Sequence, residues 1–300
     1  MRYAFYPGCS LDSTSVAYDL SVREVAKVLG TELVEVQDWN CCGATEYCAM
    51  ERLPGYALIA RNLALVDEDL SQLVAPCSAC YLNLRKTDKV MADSPAFGAK
   101  IRESLAAGGL SYEPGRVRVR HLLDVLHDDV GEKEIRAAVK RPLTGLKVAP
   151  YYGCQIVRPF DDVDHPEYPT KLDDLMAWVG ATVVDYPVKT HCCGGHMTQI
   201  SEEQAFELIR RLLDGAARYN TDVLACLCPM CQVNLDAYQR RVNRRFQMKF
   251  DLPVLFFTQL VGLAFGLEHS GLGIGTELVP AKPVLAARLE REGAKGEARA

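Results

Sequence analysis

MRYAFYPGC (residues 1–9) and LKVAPYYGC (residues 146–154) are two versions of one segment, a short apolar strand that stops at Gly-Cys. The downstream motifs are repeated as well. Trp39-Asn40-Cys41-Cys42-Gly43 and Cys77-Ser78-Ala79-Cys80 come after the first, and His191-Cys192-Cys193-Gly194 and Cys228-Pro229-Met230-Cys231 after the second. The gap from the cysteine pair to the Cys-x-x-Cys is 34 residues in both copies, and the gap from the lone cysteine to the pair is 31 in one and 37 in the other. Chance does not place ten of twelve cysteines this way. The chain reads as a tandem duplication, with domains at 1–143 and 144–270 and a C-terminal tail at 271–300.

Between the motifs, each half alternates strand and helix. In the first, Arg2 to Tyr6 is a strand, Ser13 to Leu29 an amphipathic helix stopped by Gly30, Thr31 to Val36 a strand, Tyr56 to Leu70 a helix and Gln72 to Ala75 a strand. The second half repeats the order at 147–152, 171–179, 181–186, 202–219 and 222–226. This order predicts an α/β fold: two tandem Rossmann-like domains, each a parallel sheet with right-handed helical crossovers. Every cysteine motif directly follows a predicted strand. The five thiols of a half therefore converge at the C-terminal edge of its sheet, where such folds bind ligands. His121 to Val139 reads as a helix between the halves, 141–145 as the linker, Val233 to Met248 as a long basic helix and Phe256 to Gly266 as an apolar one. The last residues, from Pro280, read as a weak surface helix or partly disordered.

Composition narrows the classes. With 49% hydrophobic and 24% charged residues and a formal net charge of -5, the chain can build an ordinary core, and no basic stripe interleaved with aromatics favours nucleic acid. The N-terminus lacks the pattern of a signal peptide. The apolar run Val254 to Leu267 is interrupted by Thr258 and Gln259 and falls short of the roughly 20 residues of a membrane helix. A cytoplasmic protein is expected, where cysteine frameworks bind metal more often than they form disulfides.

Thiolates gathered from three loops, twice, suit a soft-metal cofactor, and two iron-sulfur centres are the leading expectation. Structural zinc takes four ligands and fits five thiolates poorly, yet zinc and a redox dithiol both stay open at this point. Ferredoxin-type cysteine spacings are absent. Cys48 and Cys226 have no counterparts in the other half and read as buried small hydrophobes. His191 and His196 flank the second pair only, as structural imidazoles or as proton donors to a leaving thiolate. Arg158, Lys189 and Arg52 could face an anionic substrate, although a solvated surface charge is the simpler account of each.

The segments YPGC, WNCCGA, APCSAC, YYGC, HCCGG and CPMCQVNL, followed by PVLFFTQLVGLAFGL, resemble the cysteine-rich CCG-domain proteins, in particular the B subunits of heterodisulfide reductases. The resemblance runs over residues 1 to 267. It implies that Cys9, Cys41, Cys42, Cys77 and Cys80 hold one noncubane 4Fe-4S cluster and Cys154, Cys192, Cys193, Cys228 and Cys231 another, with a disulfide or related sulfur substrate between them. It also implies a ferredoxin-like C subunit and a flavoprotein A subunit as partners. Other CCG proteins are subunits of lactate, glycolate or succinate oxidoreductases. The alternative they imply is an electron-transfer or membrane-docking subunit anchored by the apolar helix.

Overall fold

The structure, a computed structural model, describes residues 1–44 and 47–290. It contains two parallel four-stranded sheets with helices on their faces. The first is built from β1 (Arg2–Phe5), β2 (Glu32–Glu35), β3 (Gln72–Ala75) and β4 (Arg118–His121) in the order β2-β1-β3-β4. The second, from β5 (Lys147–Tyr151), β6 (Thr182–Val183), β7 (Val223–Cys226) and β8 (Val254–Phe256), has the matching order β6-β5-β7-β8. Central strands carry unbroken apolar runs because helices cover both faces of a parallel sheet; all four residues of β7 are buried.

The helices are α1 (Val16–Val28), α2 (Tyr47–Met50), α3 (Arg52–Ala64), α4 (Ser78–Asp93), α5 (Pro95–Ala107), α6 (Leu122–Asp124) and α7 (Gly131–Ala138) in the first half. In the second they are α8 (Lys171–Trp178), α9 (Met197–Ile200), α10 (Glu202–Arg218), α11 (Pro229–Ala237), α12 (Gln239–Phe246), α13 (Phe257–Ala264) and α14 (Lys282–Leu285). α10 shows how the sequence dictates the packing. Phe206, Ile209, Leu212, Leu213 and Ala216 recur at helical spacing and are buried, while Glu202 and Glu203 begin the helix and Arg218 ends it, each complementing the helix dipole.

Several expectations are corrected. Each sheet has a fourth strand, β4 and β8, where the sequence reads as the start of a helix. α3 ends at Ala64, six residues early, because Asp67, Glu68 and Asp69 would crowd negative charge at a helix C-terminus. The long basic helix is two helices, α11 and α12, meeting at Tyr238. Every residue of the apolar helix α13 is buried, and α13 packs against α1 of the other half, so it is internal to the fold and not an exposed anchor. Among the described residues no helix is long and apolar enough to cross a membrane. The tail is packed where it is described: Leu272, Ile274, Ala281 and Leu285 are buried, and the expectation for 291–300 lies outside the described residues.

The halves join through two contacts. On one side Tyr18 of α1 stacks on Phe256, ring centroids 4.1 Å apart, and Ser21 Oγ lies 2.6 Å from Thr258 Oγ1. On the other, Lys171 of α8 donates to Asp124 at 2.7 Å and Asp128 at 2.6 Å, while His127 stacks on Trp178. Lys171 and Asp124 are largely buried, so Lys171→Met should lower stability by about 2 kcal/mol, less than a fully buried pair loses because Arg120 still faces Asp124. A lower midpoint in denaturant with an unchanged slope is the expected readout. Partial burial pushes the Asp128 carboxyl up, but Lys171 and His127 outweigh it and hold it at about 2. A depressed carboxyl stabilises the fold above the unfolded-state value near 4, and that contribution fades as pH falls towards 2. The Lys171→Met difference should therefore shrink over that window.

Candidate functional site

The three cysteine loops of each half follow the strands. Cys9 follows β1, Cys41 and Cys42 follow β2, and Cys77 and Cys80 follow β3; Cys154, Cys192, Cys193, Cys228 and Cys231 follow β5, β6 and β7. All ten thiols line a single cavity of about 100 Å³, together with Tyr152, Gln155, Met230 and His196. Cys9 and Cys192 are exposed at its mouth, whereas Cys42, Cys77, Cys80, Cys193, Cys228 and Cys231 are buried. None of these cysteines is in a disulfide, although sulfurs approach to 3.3 Å for Cys42 and Cys80, 3.6 Å for Cys9 and Cys41, and 3.9 Å for Cys77 and Cys228, the last pair spanning the two halves.

The loops are held by matching devices. The Tyr6 hydroxyl donates to the Asn40 carbonyl at 2.7 Å and the Tyr151 hydroxyl to the His191 carbonyl at 2.8 Å, in each case the peptide preceding the cysteine pair. Asn83 donates to the carbonyls of Cys42 and Ala44, and Asn234 to those of Cys193 and Gly195, closing both Cys-Cys-Gly turns. Gly8 (φ +74°) and Gly153 (φ +68°) lie against the last sulfur of their own sets, where a Cβ would sit 2.9 Å from Cys80 Sγ and 3.3 Å from Cys231 Sγ. A side chain at either position would push a thiol out of the cavity and would meet an unfavourable backbone conformation. The amides of Gly194 and Gly195 donate to the sulfurs of Cys192 and Cys193.

Crowded thiols cannot all ionise. Hydrogen bonds from Cys154 and Cys193 pull Cys192 down to about 2, while Cys192 pushes Cys154 up and Cys193 up to about 12. In the first half Cys41 and Cys80 pull Cys42 down, and Cys9 and Cys80 are pushed up by their thiol neighbours. Cations would displace the retained protons, so loading metal here releases acid. Among the described residues no group of three or more His, Cys, Asp or Glu is arranged to hold a single metal ion. The sulfurs ring a cavity instead, and ten soft donors, two glycine cradles and amides aimed at sulfur fit a cofactor of several metal atoms.

The other singled-out residues divide. His196 lines the cavity; His191 is exposed, is not among the lining residues, and contributes its carbonyl to Tyr151. Lys189 is not a solvated charge: it is buried between Asp173 and Asp185. Arg158 donates to the carbonyls of Pro166 and Thr190, and Arg52 lies over the Phe97 ring. None of these three lines the cavity. Cys226 is buried with its thiol on the Cys228 carbonyl, whereas Cys48 is only half-buried. Sequence reading aligned Asn83 with Asn234 but gave them no role, and the same holds for Tyr6 and Tyr151; their repetition at matching places was the available signal.

The CCG cysteine-rich domain matches this chain twice, over residues 3–85 and 148–236. The chain belongs to the CCG family. Over 284 residues, 93% of the chain and 98% of the relative, it is 35% identical to the 8-methylmenaquinol:fumarate reductase membrane anchor subunit of Wolinella succinogenes. It is 29% identical to a B-like heterodisulfide reductase subunit of Archaeoglobus profundus, covering 89% of the chain and 92% of the relative. It is 27% identical to the B subunit of the ferredoxin/F(420)H(2)-dependent CoB-CoM heterodisulfide reductase of Methanosarcina acetivorans, covering 91% and 92%. A solved structure of a hypothetical protein from Helicobacter pylori shares the fold with a TM-score of 0.72 at 14% identity; the match takes in 93% of the CCG chain but only 52% of that structure. Both CCG matches begin at a first strand, β1 or β5, and end in the helix after the Cys-x-x-Cys, α4 or α11.

Proposed function

We propose that this chain is the iron-sulfur oxidoreductase subunit of a heterodisulfide reductase-like complex. In this reading its ten cysteines hold two noncubane 4Fe-4S clusters, and a disulfide or related sulfur substrate is reduced or formed between them. The observation that carries the reading is the shared cavity: thiols from two sheets line one space that opens at Cys9 and Cys192. The bound clusters would supply one electron each, and breaking a disulfide takes two. The protein's residues do the rest. Gly8 and Gly153 admit the backbone close to sulfur, Asn83 and Asn234 fix the turns, and the amides of Gly194 and Gly195 favour thiolate over thiol. His196, on the cavity wall, is placed to hand a proton to a product thiolate; His191 is not. A ferredoxin-like C subunit and a flavoprotein A subunit complete the complex and feed it electrons, an arrangement supported by the subunit names of the archaeal relatives. The reducing cytoplasm suits the free thiols.

A second reading is favoured by one observation, the name of the Wolinella relative. In it the chain passes electrons in a fumarate or other organic-acid oxidoreductase and touches no disulfide. Both readings require iron. Anaerobically purified protein should contain about eight irons and about eight acid-labile sulfides per chain, one four-iron cluster for each cysteine set. Two tightly bound zinc ions per chain without iron would refute both.

A further inference from the structure

The two Cys-x-x-Cys loops meet where the halves join. Cys77 Sγ and Cys228 Sγ, both buried, face each other at 3.9 Å. Behind them stands Tyr18, fully buried and stacked flat on Phe256. Its hydroxyl donates to the Pro76 carbonyl at 2.8 Å and reaches the Leu227 carbonyl at 3.3 Å. Pro76 and Leu227 are the residues immediately before Cys77 and Cys228. One hydroxyl thus ties together the two peptides that carry the facing sulfurs, one from each sheet.

Packing alone does not ask for this group. A phenylalanine would fill the same space and keep the stack on Phe256, so the oxygen is what binds the two loops. The contact it fixes has a use, because two one-electron centres serving one two-electron reaction must exchange charge, and facing sulfurs offer a direct path. We infer that Tyr18 is a positioning residue that sets the spacing of Cys77 and Cys228 across the junction, and that this contact couples the two cysteine sets into one redox unit. The coupling rests on the iron-sulfur reading above; the positioning by Tyr18 does not.

The test uses the full chain, purified anaerobically, as wild type, Tyr18→Phe and Phe256→Leu. Tyr18→Phe should keep wild-type iron and sulfide and lose the magnetic interaction between the two reduced centres seen by electron paramagnetic resonance. Phe256→Leu loosens the packing but keeps the hydroxyl, and should keep that interaction while lowering thermal stability. A second readout needs no iron. In chelator-treated chain, diamide takes two electrons and two protons from a thiol pair as the disulfide closes, and peptide mapping reports which pair. The yield of the Cys77–Cys228 link relative to Cys42–Cys80, a pair Tyr18 does not touch, should fall about fivefold or more in Tyr18→Phe, the scale of one lost buried hydrogen bond. An unchanged ratio would overturn the positioning role. An interaction of wild-type strength in Tyr18→Phe would overturn the coupling. Wild-type protein without iron would end the coupling claim together with the functional reading, while the link ratio would still decide the role of Tyr18.

Discussion

Replacing Cys42 with serine is expected to remove about half of the iron and acid-labile sulfide, and with it all turnover, while the second cysteine set stays loaded. Cys42 is buried, its sulfur lies 3.3 Å from Cys80 Sγ, and Asn83 fixes its carbonyl, so a harder and shorter oxygen ligand at this point disturbs its own set first. The second set hangs from β5, β6 and β7 and is clamped separately by Asn234. Cys193→Ser should give the mirror result. Colorimetric iron and sulfide determination on both variants decides the matter, and complete loss from either single substitution would contradict two separately built sites.

His196→Ala is expected to slow turnover by roughly 10- to 10,000-fold with iron content intact, the lower end if water takes over the proton transfer. The histidine lines the cavity on the side of the second cysteine pair, and no basic side chain other than His196 is found among the residues that line it. His191→Ala is the comparison, because its side chain lies outside the cavity and its structural contribution is a backbone carbonyl that alanine also supplies. It should turn over at close to the wild-type rate. Rates of disulfide reduction across pH 6 to 8 for both variants give the measurement. A slow His191→Ala beside a fast His196→Ala would reverse the assignment.

Much of this fold was legible because its signals are local. Three strands of each half announce themselves by apolar runs ending in Gly-Cys, Cys-Cys or Pro-Cys, and α10 by its 3.6-residue periodicity. The fourth strands were not legible. β4 reads Arg-Val-Arg-His, yet Arg120 is buried because Asp124 and Asp129 neutralise it, and His121 is buried with its ring accepting from the Leu123 amide. No local rule anticipates partners supplied by the next turn and helix. β8 runs without a break into α13, so its three residues merge with the helix in any periodicity count. The apolar character of α13 was plain, but whether it met a membrane or α1 depended on how the halves dock. The cysteine sets were visible as spacing; their merging into one cavity, and the tie made by Tyr18, are long-range facts that no spacing contains.

The account's central claim is that a sulfur substrate reacts between the two cysteine sets, and single-turnover chemistry tests it most directly. Protein reduced anaerobically, freed of excess reductant and mixed with a small disulfide should cleave about one disulfide per chain and return to its oxidised spectrum, since two one-electron centres hold the two electrons required. The expected result is about two new thiols per chain in wild type and none in Cys42→Ser. Reduced wild-type protein that carries both centres, leaves every disulfide offered intact and gives up its electrons to a quinone would contradict the claim and leave the electron-transfer reading in its place.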